Sequence, residues 1–154
     1  MKQITVNNKT YNLSLEYIFG FFEGDGSITV QFKRNKFHKM GIQIVLIFEI
    51  HQHVIDVDLL KAMSIFLGCG QVEVGRKTGS SDTWVYRLRI SKQTDIFNIL
   101  LPILQKVKVS QTMMLNKRAH DMRLFIKICE IVKIREHITE QGQITIGTLS
   151  SQLS

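Results

Sequence analysis

Two carboxylates, Glu23 and Asp25, close the stretch Ile18–Ser27, IFGFFEGDGS, where they alternate with Gly24 and Gly26. Carboxylate oxygens are hard ligands suited to divalent metals, which can activate water and stabilise charge in hydrolysis. An Asp-Gly pair is also ordinary turn chemistry, with the aspartate capping nearby backbone amides. Taken alone, the pair favours the turn. The placement is nonetheless odd, because the acids stand where an apolar helix stops, and that helix carries Gly20 and Gly24 where alanine would suit it better. His51-Gln52-His53 sets two imidazoles on one strand face. With no third ligand at suitable spacing, they read as polar strand-end residues. Cys69 and Cys129 lie far apart and outside CxxC spacing, so they read as two buried thiols in a reducing compartment.

The elements that must position these groups follow from periodicity. Ser14 is a fitting N-cap for a helix over about 15–24, with Glu16 in its first turn. That helix is apolar nearly all round and so must be covered on several sides, either by its own core alone or by its own core together with a second subunit. After Gly26 the period becomes two: Ile28, Val30 and Phe32 alternate with Thr29, Gln31 and Lys33. A second strand follows, with Ile44, Leu46, Phe48 and Ile50 inside and Gln43, Val45, Ile47 and Glu49 outside. A helix over about 54–67 stops at Gly68 and Gly70. A second hairpin, with Arg87 and Arg89 on its outer face, precedes helices over about 95–106 and 111–137.

The order α-β-β-α-β-β-α(α) predicts an α+β fold, a four-stranded antiparallel sheet with helices on one face. Residues 1–13 form an N-terminal extension, 14–137 the domain, and 138–154 a polar C-terminal tail of uncertain order. At 154 residues and 44% apolar composition the chain is one domain with a real core. Its 20 Lys+Arg against 13 Asp+Glu give +7, which favours an anionic partner. The sequence has no secretory h-region and no run long enough to span a membrane.

With these elements in place, the sequence resembles the LAGLIDADG homing endonucleases, specifically the single-motif, homodimeric type. Residues 18–26 match the family motif in register, departing at Phe19 and Glu23. The element order extends the resemblance over roughly residues 14–136, joined by a strand ending in Gln52, the helix stop LGCG and the segment PILQKVKVSQ. The resemblance implies that the sheet is a DNA-binding saddle. It implies that the motif helix packs on its copy in a second subunit through Gly20, Phe21 and Gly24, bringing two sets of acids to the centre of the dimer.

It further implies Asp25 as metal ligand, with the Gly24 carbonyl as a second, and Glu23 as structural support. Gln52 would order water around the metals, and Lys108 would stabilise charge at the scissile phosphate, with Lys106 as a register competitor. Asp56 stands where some relatives carry a basic residue. The cofactor implied is Mg2+, with Mn2+ able to substitute and Ca2+ supporting binding without cleavage.

A two-stranded ribbon fits the major groove, and Thr29, Gln31, Lys33, Asn35, His38, Gln43, Glu49, Arg87 and Arg89 are the base-reading candidates. Val45 and Ile47 are apolar candidates for thymine methyls; Lys36, Lys39, Lys117 and Arg118 are phosphate candidates. The expected function is site-specific cleavage of double-stranded DNA, at a long pseudopalindromic target, by an intron-encoded homodimer. An organellar origin, in chloroplast or mitochondrion, and no membrane partner go with it. The alternatives are an intron RNA maturase or a non-cleaving DNA-binding regulator on the same fold. A small-molecule enzyme or plain interaction domain in which GDGS is only a turn ranks a distant third, since it leaves the Gln/Lys/Arg face without a purpose.

Overall fold

The computed structural model describes residues 1–53, 57–77, 84–110 and 117–153. Strands β1 (Lys2–Val6) and β2 (Lys9–Leu13) form an opening hairpin. Its turn residues Asn7 and Asn8 have φ of 50° and 65°, as two-residue hairpin loops require. The first thirteen residues are packed, not loose. Ile4 and Leu13 join the main core, and Asn7 Nδ2 donates to Asp58 Oδ1 at 2.9 Å. Lys9 Nζ lies 3.4 Å from Asp58 Oδ2, which docks the hairpin on helix α2 (Val57–Leu67).

Helix α1 spans Leu15–Asp25, and the Ser14 hydroxyl accepts from Tyr17 N at 3.1 Å. Ile18, Phe19 and Phe22 are its buried residues. Eleven residues would be marginal as a free helix. Burial of each such side chain contributes roughly 1.5–3 kcal/mol, so packing, and not propensity, holds α1 in place.

Strands β3 (Gly26–Arg34), β4 (Ile42–His53), β5 (Gln71–Lys77) and β6 (Trp84–Ile90) form an antiparallel sheet in the order β3-β4-β6-β5. Ile28, Ile44, Leu46, Phe48, Ile50, Leu88 and Ile90 are buried on the helix side. Phe22 stacks on Phe48 with ring centroids 4.5 Å apart and planes within 14°. Phe32 departs from its expected place, being 44% exposed. Lys33 and Arg34 beside it are exposed too, because the tip of β3 outruns the helical layer.

Strand β3 begins directly out of α1, over the Phe22 ring. A Cβ at Gly26 would collide with Cδ2 and Cε2 of Phe22 and lie 2.5 Å from its carbonyl oxygen. Gly26→Ala must therefore dislodge a fully buried ring, and overpacking of this kind costs about 1–3 kcal/mol. A lowered urea midpoint is the expected result; an unchanged one would mean that the helix-to-strand corner has slack.

The remaining helices follow the sheet in sequence, and the last of them packs on the helix Lys117–Lys133. Gln93–Asp95 (α3) continues through a π-helical turn, Ile96–Leu100, into α4 (Leu101–Ser110). Helix α5 spans Lys117–Lys133, a 3-10 turn covers Glu136–Ile138, and α6 spans Glu140–Ser151. The polar tail is thus a helix: Thr139 Oγ1 caps it, accepting from Gly142 N at 3.0 Å, and Ile146 is fully buried. Cys69 and Cys129 are free and buried, and burial pushes the Cys69 thiol up to about 11. Among the described residues, no helix is long and apolar enough to cross a membrane.

Candidate functional site

Asp25 is the last residue of α1 and is exposed. The final turn of any helix leaves carbonyls without helical partners. Here the Gly26 N–H closes on the Phe22 carbonyl, so the Gly24 carbonyl lies among the groups that the helix itself does not use. Gly24 is exposed as well, and Glu23 is half-buried. An exposed carboxylate beside an unspent carbonyl is a hard-oxygen donor pair. It suits Mg2+ or Ca2+, which complete their shells with water and substrate phosphate oxygens. Among the described residues, no group of three His, Cys, Asp or Glu side chains could hold a metal unaided, so such a pair would be one part of a shared shell.

A stripe along α1 leads to this corner. Tyr17 is 46% exposed, Gly20 and Gly24 are exposed, and Phe21 is half-buried. A Cβ placed on Gly20 or Gly24 would meet nothing within 4 Å. Neither glycine is therefore required by packing within the chain, although each costs a helix about 1 kcal/mol relative to alanine.

The sheet register brings Gln52 to the same end. Gly26 pairs with Ile50, and Gln52 lies two residues further along β4, on the face that Ile50 occupies. Gln52 is half-buried, bonded within the chain and paired across the strands with Tyr86. Lys106 is exposed on α4 and lines a cleft with Ser14, Leu15 and Glu16. That is the start of α1, roughly 15 Å of helical rise from Asp25. The Lys108 backbone belongs to α4, while its side chain, like those of Lys117 and Arg118, lies outside what is described, as does Asp56.

The opposite sheet face carries Thr29, Gln31 and Lys33 across from Ile47, Val45 and Gln43. It is less open than alternation suggests. Ile47, paired across the strands with Thr29 in a central strand, is only 2% exposed. It offers a thymine methyl no surface. Glu49 is 9% exposed and ion-paired, with Arg87 Nε 3.3 Å from its Oε2 and His51 Nε2 3.9 Å from its Oε1. The His51 imidazole beside it and the nearby arginines hold its carboxyl below the usual range against the opposing effect of burial. It is therefore not a free acceptor for cytosine.

Arg87 and Arg89 are half-buried and engaged by a residue that sequence reasoning missed, Glu73. The signal for Glu73 was its alternation with Gln71 on one strand face, but its partner depended on register. At the hairpin tip, Asn35 Nδ2 donates to Gln43 Oε1 at 3.3 Å and Asn35 Oδ1 accepts from Phe37 N at 3.0 Å. His38 and Val45 line a cavity of about 130 Å³ with Gln43, Gln93 and His137. Lys33, Lys36 and Lys39 are exposed.

A family model described as LAGLIDADG endonuclease matches residues 18–129. Among curated proteins, the chain is 22% identical over 154 residues to a probable intron-encoded endonuclease 3 of Neurospora crassa, covering 99% of the chain and 27% of that relative. Among solved structures, it is similar to the homing endonuclease I-TnaI, with 28% identity, a TM-score of 0.77, and coverage of 94% of this chain and 90% of that one. It is also similar to I-SmaMI bound to uncleaved DNA in the presence of calcium ions, with 26% identity, a TM-score of 0.77, and coverage of 93% and 45%. I-SmaMI is solved bound to cleaved DNA as well. The chain thus spans about a quarter of that curated relative and under half of I-SmaMI.

Proposed function

The chain belongs to the LAGLIDADG endonuclease family, and we propose that it is an intron-encoded, site-specific DNA endonuclease that acts as a homodimer on a long pseudopalindromic target. One observation carries this reading. Asp25 is exposed at the corner where the open Tyr17–Gly20–Gly24 stripe of α1 ends and the first strand of the sheet, β3, begins. A second copy laid on the stripe would set two such carboxylates side by side at the head of two polar sheets. Glycine at the contact lets helix backbones approach closely.

The chain's own residues then divide the work. Asp25 and the Gly24 carbonyl would hold a divalent cation, which supplies an activated water and charge stabilisation in phosphodiester hydrolysis. Gln52 orders water at the same end of the sheet, and Lys108 meets charge at the scissile phosphate. Thr29, Gln31, Lys33 and Gln43 read base edges, Arg87 and Arg89 favour guanine, and Lys36 and Lys39 contact phosphates. The name of the Neurospora relative supports an origin within an intron, and an organellar genome fits that origin.

The test is retention of duplex DNA by the purified chain in calcium, across a salt series. A face that neutralises six or more phosphates should lose roughly a thousandfold in affinity between about 50 and 200 mM salt. A flat response would contradict the assignment of the sheet face to DNA.

A further inference from the structure

Acids are out of place on a surface that meets phosphates, yet two stand on this one. Glu73 pairs directly across from Arg87, and Glu49 directly across from Arg89. Arg87 Nε donates to Glu73 Oε1 at 3.1 Å, and the same nitrogen lies 3.3 Å from Glu49 Oε2. Arg89 Nε lies 3.8 Å from Glu73 Oε1. One carboxylate therefore addresses both arginines at the same atom. Glu49 Oε2 is buried and accepts no hydrogen bond from the described residues, so the single Nε–H of Arg87 is committed to Glu73.

The chemistry of the guanidinium decides what this arrangement is for. Its five N–H donors form a rigid planar fork. A carboxylate that takes the Nε–H leaves the four Nη–H donors for another acceptor. Two parallel donors on one edge match O6 and N7 of guanine in the major groove. Part-exposed ion pairs add little stability by themselves, so stability gives no reason to tolerate the two acids. Holding a long, flexible side chain in one orientation does give one, because less conformational freedom is then lost on binding.

We infer that Glu73 is a specificity-determining positioning residue, which holds Arg87 and Arg89 by their Nε atoms so that their outer edges read guanine. The inference rests on the DNA-cleaving function proposed above. It divides the saddle into two kinds of surface. The β5–β6 side reads through acid-buttressed arginines and demands G·C pairs. The β3 side reads through Thr29, Gln31 and Lys33, and tolerates substitution.

The test compares wild type, Glu73→Gln and Glu73→Asp on a target selected from randomised duplex DNA in calcium. Base preference is scored position by position, and affinity for non-specific duplex is measured alongside. Glutamine removes one negative charge, so simple electrostatics would tighten binding to all DNA. On the selected target the opposite sign is expected, a loss of roughly 5- to 150-fold, by the worth of a bidentate guanine contact. Guanine preference should relax at one or two positions, and Arg87→Lys should relax preference at one of the same positions. Non-specific affinity should be unchanged or higher, and Glu73→Asp should fall between wild type and Glu73→Gln.

An unchanged base profile with equal or tighter binding would overturn the inference and leave the endonuclease reading standing, with Glu73 merely neutralising charge. If the wild type itself selects no site, the endonuclease reading fails and the inference fails with it.

Discussion

Asp25→Asn should lower the cleavage rate by roughly a thousandfold or more, since a metal's charge stabilisation is worth several kcal/mol and each ~1.4 kcal/mol is tenfold. Specific DNA binding in calcium should survive. The substitution keeps the shape of the side chain and removes only its charge. Asp25 is exposed and, among the described residues, makes no side-chain hydrogen bond or ion pair. The fold therefore has no stake in its carboxylate, and the melting temperature should not move. This separates the ligand reading from the turn reading, in which the aspartate caps nearby amides and its change would disturb structure before chemistry. A variant that cuts at the wild-type rate would remove Asp25 from the site.

Gly20→Leu should abolish the proposed homodimer while leaving each chain as stable as before, or more so. Within one chain a Cβ at the exposed Gly20 meets nothing within 4 Å, and leaving glycine in a helix costs about 0.8–1 kcal/mol that leucine largely recovers. At a close helix contact the same side chain would force two backbones apart. Sedimentation should report a monomer, and denaturant titration should show no loss of stability. The opposite signs make the result hard to mimic by misfolding. A dimer that persists in Gly20→Leu would refute the α1–α1 contact.

Much of this fold was legible because local rules and packing agree. The Ser14 cap, the switch to period two after Gly26, and the glycines after α2 all appear where the sequence places them. The first hairpin was missed although Asn7-Asn8 sits between two β-rich runs, KQITV and KTYNL, a recoverable signal. Helix α6 was harder. Only Gly142 and Ile146 are buried along it, too narrow a contact to impose a 3.6-residue apolar period on a Thr/Gln/Ser-rich sequence.

The sheet face marks the limit of alternation as a guide. Alternation assigns Ile47 and Glu49 to the outer side but is silent on how deeply neighbouring strands enclose them. The pairing of Glu73 with Arg87 needed the β5–β6 register, which shifts between Val74 and Lys77 and leaves no trace in either strand's own pattern. The acid at the end of α1, by contrast, was visible as an anomaly. Asp-Gly satisfies the local rule of a turn, but an acid at the C-terminal end of a helix opposes the helix dipole, and such violations are expected where function overrides stability.

The most direct test of the central claim is to incubate the purified protein with a pool of long genomic and randomised DNA fragments, in separate magnesium, calcium and chelator arms, and to sequence the cut ends. Cuts in both strands at one pseudopalindromic site are expected in magnesium, with intact but specifically retained DNA in calcium and no cutting in chelator. Specific retention without any cutting in magnesium would contradict it, and would make this chain a binder, of DNA or of intron RNA, on an endonuclease fold.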